Sequence, residues 1–151
     1  PRIYLSPSTQ DWNPYVDGSG SEEYWMNRIV DVWTDLRSNG IRYRRNDPDT
    51  SAGAAIREAN SGYYDFYLAL HPAIGNGSAQ TSARGIIAFY YPGSAGGQRG
   101  AELIAKNLRE IYPLPDKVTT RPTTALGEVS RSRFPAVLVE IGYHDNYSDA
   151  L

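Results

Sequence analysis

Two histidines and no cysteine limit the metal and nucleophile chemistry open to this 151-residue chain. With thiolate absent, a transition-metal site has to combine imidazole with carboxylate. Three positions carry suitable groups in a suitable setting. His71 follows the apolar run Phe66 to Leu70, Glu140 follows Ala136 to Val139, and Glu22 opens a stretch with helical spacing. One imidazole and two carboxylates make a hydrolytic set, in which His and Glu hold a zinc ion and a second Glu acts as general base on the bound water. Each residue also has a plainer alternative. His71 can be a polar rim residue, and Glu22 can be the capping-box partner of Ser19. Glu140 can be half of an ion pair with an arginine, since a charge placed after four apolar strand residues needs a partner.

Elements must bring these groups together, because they are far apart in the chain. Ile3-Tyr4-Leu5 predicts a strand, ended by Ser6-Pro7-Ser8 and a long loop to Gly20. Met26, Ile29, Trp33 and Leu36 recur at helical steps, and Asn39-Gly40 is a helix stop. Ile41 to Arg45 reads as a strand, and an Ala-rich helix anchored by Ile56 follows from Ser51 to Asn60. A strand is predicted over Phe66 to Leu70, then a polar stretch over Ala73 to Arg84, then a strand over Gly85 to Tyr91. The pattern Ala101, Ile104, Ala105, Leu108 predicts a helix from about Gln98 to Ile111, and Tyr112-Pro113-Leu114-Pro115 is an extended connector. Val118 starts a short strand, and Pro135 to Ile141 is the most apolar run of all.

Strands alternating with helices define an α/β fold. The expectation is a single domain spanning residues 1–151, with a twisted, largely parallel sheet of five or six strands flanked by helices. Ligands of such sheets sit beyond the carboxyl ends of the strands, which is where Ser6, His71 and Glu140 fall.

Composition closes off other classes. Fifteen Lys and Arg against seventeen Asp and Glu leave a net charge of −2, too little to draw the chain to nucleic acid or anionic lipid. No apolar run is long enough to span a membrane, and no signal-peptide pattern opens the chain. Gly93-Ser94-Ala95-Gly96-Gly97-Gln98-Arg99-Gly100 lies between a strand and a helix, as a phosphate loop would, but it matches neither glycine-loop spacing and is read as a turn. Twelve Tyr and three Trp suit a sugar or peptide ligand as well as a core.

Pro135-Ala136-Val137-Leu138-Val139-Glu140-Ile141-Gly142-Tyr143, followed by Asn146, resembles the closing motif of the zinc-dependent N-acetylmuramoyl-L-alanine amidases. Leu68-Ala69-Leu70-His71 resembles their strand ending in a zinc-binding His. Arg84-Gly85 with Tyr90-Tyr91, and the helix starting at Glu22, also match in order. The resemblance implies Glu140 as catalytic acid/base and Glu22 and His71 as zinc ligands, with Glu23 competing for the place of Glu22. Arg84 and Asn146 are then substrate-binding, zinc is the cofactor and peptidoglycan the partner, with no obligate protein partner. The implied location is extracellular or in the cell wall.

The chain departs from that family in its first loop. Ser6-Pro7-Ser8-Thr9-Gln10 stands where D-P-G-H-G supplies a third ligand, and Trp12 stands where a variant S-T-Q-E-H-N has its His. His144 or Asp11 can replace the missing donor. Pro72-Ala73 replaces the family's N-A, and the expectation is a domain without the final helix into which the family usually continues. Two functions follow: an active zinc amidase, or an amidase-fold module that has lost catalysis and binds the wall or regulates a partner.

Overall fold

A computed structural model of the chain describes residues 1–8, 22–35, 40–47, 51–73 and 85–143. Its centre is a six-stranded sheet. The strands are β1 (Arg2–Pro7), β2 (Arg42–Arg45), β3 (Phe66–Ala73), β4 (Ile86–Tyr90), β5 (Val118–Pro122) and β6 (Ala136–Tyr143), laid side by side in the order β2-β1-β3-β6-β4-β5. β1, β2, β3 and β6 run parallel, while β4 lies antiparallel to β6 and parallel to β5. The largely parallel sheet expected from the sequence is therefore present, with its last two strands reversed.

Helices cover both faces, as strands apolar on both sides require. α1 (Glu22–Asp35) and α3 (Ala95–Arg109) cover one face, where Leu5, Leu68, Leu70, Val137 and Val139 meet Met26, Val30, Ala101 and Ala105. α2 (Ala52–Ser61) and the single-turn α4 (Gly127–Ser130) cover the other, where Tyr4, Tyr67, Ala69 and Leu138 meet Ala55, Ile56, Ala59 and Val129. Consecutive strand residues alternate between these two cores, so one slip in register would exchange every contact. Tyr4 and Tyr67, fully buried, stack with ring centroids 5.4 Å apart across neighbouring strands.

Local signals explain the element limits. Ser51 accepts a hydrogen bond from the Ala54 N–H and starts α2, as predicted. Gly40 has φ +77°, the left-handed conformation anticipated for the stop after α1. α3 begins at Ala95, three residues before the predicted start, because Ser94 caps the Gly97 N–H at 3.0 Å and makes the glycine-rich stretch the first helical turn. Those glycines bring α3 close to the sheet. A Cβ on Gly97 would meet the Ala136 carbonyl oxygen at 3.1 Å, and one on Gly100 the Phe66 ring at 2.6 Å. The Tyr112 to Pro115 connector leads into a 3-10 turn at Pro115–Lys117 that the sequence reading left extended. The exposed edge strand β2 reads Arg-Tyr-Arg-Arg, and its cations pair outward, Arg44 with Glu58 at 3.1 Å and Arg45 with Asp31. Charges of this kind discourage pairing with another chain.

Gly85, just before β4, has φ +140°, and an added Cβ would lie 2.7 Å from the Lys117 backbone oxygen. Gly93 also has positive φ, +89°, but open space around it. Gly85→Ala is expected to cost about 2–4 kcal/mol against about 1 kcal/mol for Gly93→Ala, because only the first adds a backbone clash to dihedral strain. Chemical denaturation of the two variants checks the order.

Candidate active site

The parallel register sets the site. His71 on β3 is the direct partner of Glu140 on β6, and on its other side Glu140 is the partner of Ile87 on β4. By strand alternation His71 shares a face with Tyr67 and Ala69, and Glu140 with Ala136 and Leu138, which is the face covered by α2 and α4. Ser6 shares that face with Tyr4 on β1. Both strands run past these residues instead of ending at them, and the pairing shifts register between His71 and Ala73. Such irregularities recur where a sheet turns side chains toward a site.

One further side chain meets these residues. Glu128 of α4 is only 5% exposed and reaches across to β1 and β3. Its Oε2 accepts hydrogen bonds from Ser6 Oγ at 2.6 Å and from the Tyr67 hydroxyl. Its Oε1 lies 2.9 Å from His71 Nε2, and the His71 side chain is 14% exposed. The three strand residues thus converge on a carboxylate from a single-turn helix. Sequence reasoning missed it because Leu126 to Ser130 shows no strand or helix period. The one available signal was an acidic residue eight ahead of a buried strand, next to apolar Val129.

Burial governs the electrostatics of the phenols around this carboxyl group. Burial, reinforced by the neighbouring Glu128 carboxylate, pushes the Tyr67 phenol far above the usual tyrosine range, so it remains a donor. Tyr4 is pushed up as well, chiefly by burial and then by Glu58.

Of the other residues singled out from the sequence, Glu22 and Glu23 are the first two residues of α1, which packs on β1 and β3 from the opposite face. Because α1 follows β1 and precedes the parallel strand β2, it starts at the edge where Ser6, His71 and Glu140 gather. The Glu22 and Glu23 side chains lie outside what is described, as do Asp11, Trp12, Arg84, His144 and Asn146. Among the described residues no three His, Asp or Glu side chains are grouped to hold a metal ion. The donors that are described suit one nonetheless. His71 is anchored through one nitrogen by a buried carboxylate, the support that metal-bound histidines commonly have, and a second carboxylate stands one strand away.

Fold and site together define a three-layer α/β domain with polar groups gathered at one sheet edge. Residues 31–151 match the model of the N-acetylmuramoyl-L-alanine amidase family, and the chain belongs to that family. The fold is also that of solved amidases. An N-acetylmuramoyl-L-alanine amidase from Clostridium difficile 630 superposes with a TM-score of 0.82 at 14% identity, over 99% of this chain and 83% of that one. The catalytic domain of the CD27L endolysin, which targets Clostridia difficile, gives 0.73 at 22%, over 99% and 85%. The CwlD amidase from Clostridioides difficile, solved in complex with the GerS lipoprotein, gives 0.70 at 13%, over 99% and 85%. No curated protein matches the chain by sequence.

Alkaline titration reports on the two buried phenols. With folded phenol pKa values raised above the unfolded value of about 10, Tyr4 and Tyr67 contribute stability that is complete below pH 10 and is lost as pH rises beyond it. Tyrosinate absorbance is expected to show these two phenols ionising only with unfolding, and Tyr67→Phe is expected to remove one of them.

Proposed function

We propose that this chain is a zinc-dependent N-acetylmuramoyl-L-alanine amidase, cutting peptidoglycan at the amide between the muramic acid lactyl group and the first alanine of the stem peptide. Membership of the amidase family supports the reaction class. The observation that carries the mechanism is the direct pairing of His71 with Glu140 across adjacent strands.

His71 and Glu22 (or Glu23) would hold the ion, with His144 or Asp11 in place of the loop histidine that this chain lacks. The chemistry such an ion would supply is Lewis acidity toward the amide carbonyl and a lowered pKa for its water. Glu140 is the proton carrier. Its carboxylate takes a proton from the attacking water as the oxygen bonds to the amide carbon, then gives it to the departing nitrogen as the carbon–nitrogen bond breaks. The alanine leaves as a free amine and the lactyl group as a carboxylate. Arg84 and Asn146 orient the substrate. The low exposure around His71 and Glu128 keeps the charges there effective. A peptidoglycan substrate places the protein outside the membrane or in the wall.

Digestion of purified peptidoglycan tests the reading. Wild-type protein is expected to release stem peptides with new alanine amino termini. Glu140→Gln is expected to lower kcat by roughly 10²–10⁴-fold, with wall binding retained. Full activity of that variant would remove Glu140 from the mechanism. The first-loop departure favours one other reading, a wall-binding module without catalysis, which tight binding by wild type without any turnover would identify.

A further inference from the structure

Glu128 is a buried acid on a single-turn helix, and the reaction proposed for Glu140 does not use it. Placing a carboxylate in so dry a position is unfavourable unless donors surround it. Here they do, and all three come from the sheet: Ser6 from β1, Tyr67 and His71 from β3. Filling the same space with an apolar side chain would have taken this acceptor away from two hydroxyls and an imidazole, so the local chain commits to an acceptor.

The division of labour between the two oxygens is informative. Ser6 and Tyr67 both donate to Oε2. The Tyr67 phenol keeps its proton, so this pair acts as a fixed clamp that sets the carboxylate plane. Oε1 is left directed at His71 Nε2, 2.9 Å away. An ionised carboxylate only accepts, so this contact needs a proton on Nε2. A neutral imidazole carries one proton. With that proton on Nε2, the lone pair is on Nδ1.

We propose that Glu128 is the positioning residue of the site: clamped by Ser6 and Tyr67, it holds His71 as the Nε2–H tautomer and makes Nδ1 the nitrogen that meets the metal ion. The metal half rests on the reading of His71 as a zinc ligand. The tautomer half does not. Carboxylates in this outer position orient metal-bound histidines and raise their basicity, and their loss weakens metal binding by roughly 10- to 100-fold.

With only two histidines in the chain, nitrogen-15 NMR of histidine-labelled, metal-free protein reads the tautomer directly, and a His144→Gln sample assigns the signals. At a pH where His71 is neutral, the wild type is expected to show Nε2 protonated and Nδ1 unprotonated. In Glu128→Gln the amide can present either its oxygen or its NH₂ to the imidazole, so the single tautomer is expected to give way to a mixture. Competition titration against a chromophoric chelator is then expected to show zinc affinity lower by roughly 10- to 100-fold in that variant. A predominantly Nδ1–H tautomer in the wild type overturns the proposal, and this measurement needs no variant to fold. Unchanged zinc affinity in a folded Glu128→Gln also overturns it. Failure of the wild type to bind zinc while showing the Nε2–H tautomer overturns the metal half and the zinc reading of His71, and supports the positioning of His71 by Glu128.

Discussion

A carboxylate removed from water must be met by donors, and in this protein that requirement fastens a small helix to the sheet. Glu128 gathers Ser6, Tyr67 and His71 onto one anion. The contacts join residues 122 and 57 positions apart in the chain, so they form only when β1, β3 and α4 are all in place. Removing any donor leaves the anion under-solvated, and removing the anion strands the donors. The site therefore depends on the fold being complete, and the α4 side of the fold depends on the site.

The sheet supplies the second constraint. Parallel pairing of β3 with β6 places His71 opposite Glu140, and strand alternation puts both on the α2/α4 face. Stiff apolar neighbours on the far face, Leu70 and Val139, fix that register against a slip. The reversed pair β4 and β5 has a positional consequence. β4 enters the sheet at the edge of the site, with Ile87 beside Glu140, and the glycine-rich turn after β4 is carried to the opposite edge. That turn serves close helix packing through Gly97 and Gly100, which accounts for a glycine cluster whose spacing suits no phosphate loop.

Much of this was legible in the residues. Apolar runs alternating with helical spacing gave the α/β layers, and the closing Pro135 to Tyr143 motif pointed to the family to which the chain belongs. The adjacency of His71 and Glu140 followed from parallel strands carrying polar groups beyond apolar runs. Three features escaped for physical reasons. Strand direction is set by how connections cross the sheet, not by side-chain period, so the reversal of β4 and β5 left no local mark. Gly96 and Gly97 have poor helix propensity, yet the Ser94 cap and the space they leave for the sheet draw them into α3. Glu128 lies in a helix too short for periodicity, and its role exists only through partners distant in sequence.

We propose that His71, met by Glu128 at 2.9 Å, and Glu140, one strand away, serve one zinc centre with different tasks. Zinc content by atomic emission, measured on wild type, His71→Ala and Glu140→Gln purified with equal metal supplied, separates those tasks. Close to one zinc per chain is expected in the wild type, with near-complete loss in His71→Ala and retention in Glu140→Gln. A zinc-free wild type, or a His71→Ala protein that keeps its zinc, would contradict it.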